Sequence, residues 1–341
     1  DSWFSSCKEG FDSPWDRQNL FMFNIGVIDK MNPAGIKLLD QKENFKYEII
    51  TDLSKENLLK KLPNFDGVTL RRGNLSGELL KKCKKLKVIS RHGVGYDNVD
   101  IDYIRKNNIK LLVTDASTST SPSEHIMFMI MSIYKGINMF DNMVRQGDFS
   151  KAIHLDIKDN FELFNKTILI IGLGRIGKKL IKKCLGFDLK VVVYDPFVSK
   201  EVVESFGGTK ISQLNEGLKI SDIVSLSLPL NNKTKNLINI DQMKLMKKNS
   251  ILINVSRGGI VNEKDLNYAL NNSIIHFAGI DVFEKEPPLI NNSLLTNKRV
   301  FLSPHAATFT KECLENMSIE TVTNIIDFFE KKIDKSKIVS L

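Results

Sequence analysis

The 341-residue sequence is poor in cysteine, histidine and tryptophan, with four, five and two of these residues respectively. Its cysteines, Cys7, Cys83, Cys184 and Cys313, are far apart and form no Cys-x-x-Cys pair. This spacing provides neither a zinc site nor an obvious disulfide framework. We therefore expect no metal site and a reduced, cytoplasmic setting.

Long hydrophobic runs are also missing. No stretch of about 18 uninterrupted apolar residues occurs, so no membrane span is predicted. Residues 1–20 lack the basic segment and the apolar core of a secretory signal peptide. They contain both tryptophans, Trp3 and Trp15, and are interpreted as an N-terminal arm that lies on the body of the protein or on a partner. A disordered tail is the alternative.

The formal net charge is +9, and a basic balance of this kind can indicate a nucleic-acid-binding protein. The lysines, however, are concentrated in ELLKKCKKLK (78–87) and GKKLIKKC (177–184), where apolar residues at helical spacing place them on an outward helix face. Solvated helix faces are therefore predicted, and no nucleic-acid partner. A positive surface would also attract an anionic cofactor or substrate.

Length and composition indicate about two globular domains, because 42% of the residues are hydrophobic and 26% are charged. Short apolar runs alternate with amphipathic stretches in two series. The first series predicts strands at 23–28, 47–50, 66–70, 87–91 and 109–114, with helices around 33–43, 54–62, 76–85 and 100–107. The second predicts a long helical stretch over 123–146, strands at 167–172, 190–195, 223–228, 250–256, 277–283 and 300–303, and a final helix over 311–331. This alternation indicates an α/β protein with two doubly wound parallel sheets.

The sequence ILIIGLGRIGKKLIKKCLGFDLKVVVYDP (168–196) contains Gly172, Gly174 and Gly177 in a G-x-G-x-x-G pattern. The pattern follows a predicted strand, opens an amphipathic helix and leads to a second strand that ends at Asp195, which together form a dinucleotide-binding fingerprint. The glycines would allow the tight turn, the approach of a pyrophosphate to the helix N-terminus and the close packing of helix on strand. Asp195 would hold the ribose hydroxyls and repel a 2′-phosphate, so NAD is favoured over NADP.

Three further stretches end predicted strands of the second series with chemically active side chains. NVSRGGIVNE provides Arg257, GIDVFEKEPP provides Asp281 and Glu286, and LSPHAA provides His305. In doubly wound sheets, ligands bind beyond the carboxyl ends of the strands, so these groups are expected to face a bound nicotinamide. Arg257 could bind a carboxylate and polarise a carbonyl. His305 could remove a hydroxyl proton as hydride leaves, and Glu286 could hold its ring and favour the protonated form.

Each of these residues has a structural alternative when it is taken alone. A single histidine is usually a surface residue or a satisfied core group. An arginine near a strand end often forms a surface ion pair, and a glutamate before two prolines is usually a loop charge. Their joint occurrence next to a dinucleotide loop favours the catalytic interpretation of His305.

At these residues the chain resembles the D-isomer-specific 2-hydroxyacid dehydrogenases, over nearly everything from about residue 24 to 335. The motifs that carry the resemblance are SRHGVGYDNVD (90–100), IIGLGRIGKKL (170–180), SLSLPLNNKT (225–234), INVSRGGIV (253–261), GIDVFEKEP (279–287) and LSPHAA (302–307). The resemblance implies NAD-dependent transfer of a hydride between nicotinamide and a small D-2-hydroxy or 2-oxo acid. It also implies that Arg257, Glu286 and His305 are the catalytic residues.

The resemblance further implies a domain arrangement. A flavodoxin-like substrate domain would comprise residues 21–115 and 304–335, and a Rossmann NAD domain would comprise residues 116–303. A cleft would lie between these two doubly wound domains, with hinges near 115–122 and 303–308. The family also implies a homodimer that is built through the cofactor domains.

Contacts to substrate and cofactor follow from the resemblance residue by residue. The backbone amides of Gly93, Val94 and Gly95 would bind the substrate carboxylate together with Arg257. Asp281 would lie near the nicotinamide carboxamide. The remaining cofactor contacts would come from Gly172, Gly174, Arg175, Ile176, Gly177, Asp195, Pro229, Thr234, Val255, Ser256 and His305.

Three positions bear on how closely the chain follows the family. Ser227 stands where the family often has His, so one cofactor contact is expected to differ. The segment TDASTSTSPSEH (114–125) looks shorter than usual and has Pro122 where an aliphatic residue is common, which would alter the hinge. Glu286 argues against a formate dehydrogenase, because that group has Gln at this position.

The choice of substrate depends on Arg71 and Arg72, which fall where 3-phosphoglycerate dehydrogenases place an arginine that faces the substrate. With Arg91 and His92 nearby, 3-phosphoglycerate is predicted first, and reduction of glyoxylate or hydroxypyruvate is the alternative. A surface arginine pair is the structural alternative. A non-catalytic, NAD-sensing binding protein also stays open, because co-repressors with this fold keep the catalytic trio.

Overall fold

The computed structural model describes residues 22–114, 117–157 and 159–340 of the chain. The N-terminal arm expected for residues 1–20 lies outside the described residues, as do residues 115 and 116 of the expected hinge. Pro122, which the sequence analysis singled out in this hinge, lies in the first turn of a helix. Proline is tolerated there because an amide in the first turn has no intrahelical partner.

The chain forms two compact units. The first comprises the chain up to Thr114 together with the chain from Glu315 onward, and the second runs from residue 115 to Leu314. Residues 304–314, which the resemblance assigned to the substrate domain, therefore fall in the second unit. The amide of His305 donates to the carbonyl of Asp281 at 2.7 Å, which ties this segment to the second unit.

The first unit is built on a five-stranded parallel sheet with the order β2-β1-β3-β4-β5. This is the flavodoxin-like order, so the predicted fold of this unit is confirmed. Its strands are β1 Phe23–Ile28, β2 Phe45–Ile50, β3 Gly67–Leu70, β4 Val88–Arg91 and β5 Lys110–Val113. Its helices are α1 Pro33–Asp40, α2 Lys55–Lys61, α3 Gly77–Leu80 and α4 Ile101–Lys106, and the C-terminal helix packs on the sheet as well.

Apolar side chains cover both faces of this first sheet. Along β1, Ile25 and Val27 pack in one cluster with Val322 and Ile325 of the C-terminal helix, whereas Ile28 packs in the cluster on the other face. Successive side chains of a strand point to opposite faces, so a strand buried on both sides must be apolar throughout. This explains the continuous apolar runs in the sequence.

The second unit is built on a seven-stranded parallel sheet with the order β12-β11-β10-β9-β6-β7-β8. Its strands are β6 Thr167–Ile171, β7 Lys190–Tyr194, β8 Thr209–Lys210, β9 Ile223–Leu226, β10 Ile251–Asn254, β11 Phe277–Ile280 and β12 Val300–Leu302. Its helices are α5 Thr120–Lys135, α6 Ile137–Arg145, α7 Phe149–Ile153, α8 Arg175–Leu185, α9 Lys200–Ser205, α10 Leu214–Ile220, α11 Ile240–Leu245 and α12 Glu263–Asn271, and α13 (Lys311–Phe329) begins in this unit. The strand order reverses between β6 and β9, and such a switch point is where doubly wound sheets bind ligands.

The second sheet is also buried on both faces. Ile168 and Ile170 of β6 pack toward a cluster that contains residues of α5 and α8, while Leu169 and Ile171 pack toward the cluster on the opposite side. The predicted two-domain α/β fold with parallel sheets is therefore confirmed in both units.

The prediction of a helix over 76–85 was wrong in extent, because α3 ends at Leu80. The apolar positions that suggested a longer helix, Cys83 and Leu86, are buried through turns instead. The prediction of one helix over 123–146 also needs correction. Gly136 adopts a left-handed conformation with φ of 59°, which ends α5 and begins α6.

None of the helices in the described ranges is long and apolar enough to cross a bilayer. Within the same part of the chain, no cluster of three or more His, Cys, Asp or Glu side chains could hold a metal ion.

Candidate active site

The glycine loop leaves the carboxyl end of β6 and leads directly into α8. Gly172 has a φ of +95°, and a Cβ atom there would lie 2.4 Å from the carbonyl oxygen of Ser227. Gly177 packs equally closely, because its Cβ would lie 2.5 Å from the carbonyl oxygen of Gly172. A Cβ at Gly174, by contrast, would meet nothing within 4 Å. Open space therefore lies beside the first turn of α8, whose amides have no intrahelical acceptors and can bind an anion.

Asp195 follows β7 and lies next to this loop. Its Oδ2 accepts a hydrogen bond from the amide of Leu173 at 2.8 Å, and its Oδ1 accepts one from the amide of Phe197 at 2.9 Å. A carboxylate oxygen has a second lone pair, so each oxygen retains capacity for a hydroxyl donor. The side chain is only partly buried. These features fit the ribose-binding role of Asp195 in the dinucleotide fingerprint.

The other predicted cofactor contacts lie in neighbouring loops of the second unit. Thr234 closes the turn after β9, since its hydroxyl donates to the carbonyl of Pro229 at 2.6 Å and accepts from the amide of Asn231 at 2.8 Å. Val255 is buried directly after β10. Ser227 replaces a common family histidine, and its hydroxyl is buried without a hydrogen-bond partner among the described residues. Arg175 and Ile176 begin α8 beside the glycine loop.

His305 and Glu286 form a direct hydrogen bond, with 2.7 Å between Nδ1 and Oε2. The other carboxylate oxygen of Glu286 accepts from the amide of Phe283 at 3.1 Å, which orients the carboxylate toward the ring. The His305 and Glu286 side chains are 46% and 38% exposed, so a small molecule can reach them. Burial raises the pKa of Glu286, but its bond to His305, the charge of His305, the Phe283 amide and Arg257 together hold that pKa below its ordinary value.

Arg257 lies in the loop after β10, and its charge is close enough to lower the pKa of Glu286. Asn254, at the end of β10, holds this loop: its side-chain amide donates to the carbonyl of Arg257 at 3.0 Å, and its Oδ1 accepts from the hydroxyl of Ser256 at 2.8 Å. Asn254 was not predicted from the sequence. A polar residue at the end of an apolar strand was the available signal.

Gly258 allows the Arg257 loop to pack against the loop that carries Glu286. A Cβ at Gly258 would lie 1.8 Å from the carbonyl oxygen of Phe283, a distance too short for any residue with a side chain. The structure therefore brings the three predicted catalytic residues together at one edge of the second sheet, because they follow the carboxyl ends of the adjacent strands β10, β11 and β12.

The observed contacts of Asp281 are with the loop that carries His305. Its side chain is fully buried, and its oxygens accept from the amide of Ala306 at 2.7 Å and the amide of Ala307 at 3.1 Å. The hydroxyl of Ser303 donates to the same carboxylate at 2.5 Å. Asp281 thus organises the loop that carries His305, and a nicotinamide contact for it stays a prediction.

The predicted substrate residues Arg71 and 93–95 lie in the first unit, after the adjacent strands β3 and β4. The guanidinium of Arg71 donates to the carbonyl of Lys30 at 2.9 Å. The amide of Gly93 donates a hydrogen bond to the hydroxyl of Thr114 at 2.7 Å. Of the three amides expected to bind a carboxylate, those of Val94 and Gly95 are therefore the better candidates.

Arg91 and His92, which the sequence-based hypothesis placed near a bound phosphate, both have partners inside the first unit, and a phosphate contact for Arg91 stays a prediction. Nη1 of Arg91 donates to the carbonyls of Leu70, Arg71 and His92 at 2.8 to 3.0 Å, so the guanidinium holds backbone turns. Burial and the charges of Arg71 and Arg91 lower the pKa of His92 to about 4, against the opposing charge of Asp29. The His92 ring is therefore neutral at pH 7.

Asp29, which the sequence analysis did not single out, pairs with Arg72. Nε of Arg72 lies 2.5 Å from Oδ2 of Asp29, and Nη1 of Arg71 lies 3.6 Å from the same oxygen. The Asp29 side chain is buried, whereas that of Arg72 is 71% exposed. Burial raises the pKa of Asp29, but hydrogen bonds from Arg72 and the Lys30 amide and the charges of both arginines lower it overall.

The sequence is similar to a known family and to individual proteins of it. A family model described as the D-isomer specific 2-hydroxyacid dehydrogenase, NAD binding domain, matches residues 127–307. The chain is 36% identical to a D-3-phosphoglycerate dehydrogenase of Methanocaldococcus jannaschii, over 85% of this chain and 54% of that protein. It is 34% identical to a glyoxylate reductase of Pyrococcus horikoshii, over 89% of this chain and 92% of that protein.

The lengths of these relatives differ. The chain spans about half the length of the curated phosphoglycerate dehydrogenases it matches, but nearly all of the glyoxylate reductase. Among solved structures, a D-lactate dehydrogenase of Aquifex aeolicus complexed with NAD and lactic acid is similar, with a TM-score of 0.82 and 28% identity. That similarity covers 93% of this chain and 99% of the other.

We expect Gly174→Ala to keep the melting temperature of the protein but to weaken NAD binding by about 10-fold or more. The new methyl group meets no protein atom and projects into the space where a pyrophosphate would approach. The NAD affinity is measured by calorimetric titration, and the melting temperature is measured by thermal unfolding. Gly177→Ala is the matched control. It should weaken NAD binding and also lower the melting temperature, because its Cβ clashes with the Gly172 carbonyl. Undiminished NAD affinity in Gly174→Ala would contradict the assignment of this loop.

Proposed function

The chain belongs to the D-isomer specific 2-hydroxyacid dehydrogenase family, and from this premise we propose that it interconverts a small D-2-hydroxy acid and the corresponding 2-oxo acid with NAD. The observation that carries this proposal is the His305–Glu286 hydrogen bond, which lies at the sheet edge formed by the carboxyl ends of the strands, where the glycine loop also leaves β6. An acid–base group and a dinucleotide loop at one edge are the two parts that a hydride-transfer reaction needs.

The residues of the second unit fit NAD. The open first turn of α8 would hold the pyrophosphate, and Asp195 would hold the ribose hydroxyls while repelling a 2′-phosphate. Bound NAD supplies the nicotinamide ring that accepts hydride from the hydroxy acid or returns it to the oxo acid. The protein supplies orientation and proton transfer.

His305 would act as the general base during oxidation and as the general acid during reduction. Glu286 can only accept through its carboxylate, so Nδ1 of His305 carries the proton of their shared bond and Nε2 is left to receive another. As the carbinol C–H bond breaks, the substrate hydroxyl gives its proton to Nε2 and the carbonyl forms. The carboxylate of Glu286 then stabilises the imidazolium.

Arg257 would bind the substrate carboxylate and polarise the reacting carbonyl. A guanidinium offers two parallel donors that match a carboxylate, which fixes the orientation of the substrate as well as its charge. The Asn254 bonds hold the Arg257 loop in place for this role. The amides of Val94 and Gly95 are proposed to contribute further carboxylate contacts.

Within this class we propose 3-phosphoglycerate as the substrate. The side chain of Arg71 is partly exposed just after the carboxyl end of β3, and its guanidinium has donors that match a phosphate. Arg72 lies next to it, but Asp29 compensates its charge, so Arg71 is the residue proposed to bind the phosphate. The similarity to phosphoglycerate dehydrogenases supports this choice. Reduction of glyoxylate or hydroxypyruvate is the second candidate, favoured by the match over 92% of a glyoxylate reductase.

We also propose that the protein acts as a homodimer through the second unit. Helix α6 has no buried residue, although its apolar side chains are at amphipathic spacing. Ile137, Val144, Phe149 and Ile153 of α6 and α7 are between 51% and 63% exposed. Neighbouring apolar side chains exposed in this way mark an interaction surface, and a self-complementary patch would suit a twofold dimer.

Substitution of His305 by glutamine should lower kcat for NADH oxidation with a 2-oxo acid by about 100-fold or more, because glutamine cannot donate and recover a proton. Affinity for NADH should be largely retained, because the pyrophosphate and ribose contacts are left in place. His154→Gln, a change of the same type at an exposed position of the second unit, should keep full activity. If the unsubstituted protein bound NADH but turned over none of phosphohydroxypyruvate, hydroxypyruvate, glyoxylate, pyruvate and oxaloacetate, a binding protein would be favoured over an enzyme.

The Arg71→Ala substitution should reduce kcat/KM for phosphohydroxypyruvate by about 10- to 100-fold, as expected when one charge-assisted hydrogen bond is lost. The value for glyoxylate should change by less than about 3-fold, since glyoxylate has no phosphate. Arg105→Ala, at an exposed position of α4 in the same unit, is the control for lost positive charge. Equal losses for both substrates would mean that Arg71 does not recognise a phosphate.

Light scattering should give a mass of about twice that of one chain. A Val144→Glu, Ile153→Glu variant should be monomeric at micromolar concentration, because it places charges in the exposed apolar face of α6 and α7. Tyr268→Glu, at an exposed position of α12, should remain dimeric. A monomeric unsubstituted protein would refute the dimer.

A further inference from the structure

His305 occupies a backbone conformation that its neighbours must enforce. Its φ is +52°, in the left-handed region that residues with a Cβ atom rarely adopt. Residues in this region persist where surrounding contacts determine the backbone, and such positions cluster at functional sites. The contacts that hold residues 303–307 therefore decide where the imidazole of His305 lies.

The first layer of these contacts comes from Asp281. Its carbonyl accepts from the amide of His305, and its carboxylate accepts from the amides of Ala306 and Ala307. The Ser303 hydroxyl donates to Oδ1 of the same carboxylate. Asp281 is thus joined to the loop at four points, three at its carboxylate and one at its backbone carbonyl, all within the second unit.

The second layer comes from His125 of α5. Its Nε2 lies 3.0 Å from the hydroxyl oxygen of Ser303 and 3.7 Å from Oδ1 of Asp281. A serine hydroxyl has a single proton, which here goes to Asp281, so the oxygen must accept from His125. The hydrogen bonds therefore run in one direction, from Nε2–H of His125 to Ser303 and from Ser303 to Asp281.

Helix α5 fixes the other end of the loop as well. Ser121, one turn before His125, donates to the carbonyl of Ala307 at 2.6 Å. Residues one turn apart share a helix face, so one face of α5 holds both Ser303 and Ala307. The His125 ring is itself supported by Phe128, whose ring centroid is 5.9 Å away and which packs edge-on against Phe301. The His125 side chain is only 17% exposed, so its contacts are shielded from water.

We propose that His125 is a positioning residue for the acid–base reaction: through Ser303 it fixes the hydrogen bonds of Asp281 and so holds the loop that presents His305. This inference rests on the proposed function, since it gives His305 its catalytic role. His125 does not contact the reacting groups, and its effect on catalysis is transmitted by the loop.

The test compares His125→Leu with His125→Gln. Leucine fills the site but cannot donate, whereas glutamine can place an N–H donor near the position of Nε2. In His125→Leu we expect kcat to fall by about 10-fold with KM for NADH unchanged, and His125→Gln to recover most of the loss. His276→Leu is the control and should leave kcat unchanged. His276 is also a mostly buried histidine of the second unit, but it precedes β11 at the opposite edge of the sheet.

Hydrogen exchange measured by mass spectrometry gives a readout that needs no turnover. The amides of residues 305–307 should exchange about 10-fold faster in His125→Leu than in the unsubstituted protein, but not in His125→Gln. If neither kcat nor exchange responds to His125→Leu, the inference is wrong. Faster exchange in a protein that shows no turnover would support the loop contact while removing the proposed function.

Ser303→Ala provides a second route if His125→Leu does not fold. It interrupts the same chain of hydrogen bonds with a smaller change and should reproduce both the loss of kcat and the faster exchange. Where His125→Leu does fold, adding it to Ser303→Ala should have no further effect, because both substitutions interrupt the same chain of hydrogen bonds. An undisturbed loop in Ser303→Ala, or additive effects of the two substitutions, would overturn the inference.

Discussion

The carboxylate of Asp281 is the group around which the active-site edge of the second unit is organised. It is completely buried, and a buried carboxylate must be matched by donors because its desolvation is costly. Those donors are the amides of Ala306 and Ala307 and the hydroxyl of Ser303. Satisfying one charge therefore fixes the path of the loop after β12, and that path places His305 in its left-handed conformation beside Glu286.

The site separates groups that support from groups that react. The supporting groups are largely buried, and they form hydrogen bonds with the backbone or with other side chains; they are Asp281, Asn254 and His125. The reactive pair, His305 and Glu286, remains partly exposed, so that a substrate can reach it. In the first unit, Arg91 likewise supports backbone turns through Nη1, and Arg72 is paired with the buried Asp29 although most of its own side chain is exposed. Rigid support behind an accessible group keeps the geometry fixed without closing the site.

Much of this arrangement could be predicted from local patterns. Continuous apolar runs indicated strands buried on both faces, and the order of strands and helices indicated two doubly wound sheets. The glycine spacing and Asp195 indicated a dinucleotide site, because turn geometry and helix amides act over a few residues. The boundaries of α3 and α5 were misjudged, since Cys83 can be buried by a turn as well as by a helix and since Gly136 ends a helix from within an amphipathic pattern. The contacts of Asn254 and His125 could not be predicted, because their partners are distant in sequence or depend on a turn.

The sequence by itself determined the parallel α/β fold, the dinucleotide loop and the residue types that carry the chemistry, because periodicity and short motifs are local properties. Only the tertiary structure decided how these residues are used. In the folded protein, His92 is a neutral, buried residue and not a cation that could bind a phosphate. The Gly93 amide donates to the Thr114 hydroxyl, and the Asp281 carboxylate accepts hydrogen bonds from the loop that carries His305. Burial and hydrogen-bond partners set the charge and direction of a polar side chain, and both arise from segments that meet only when the chain has folded.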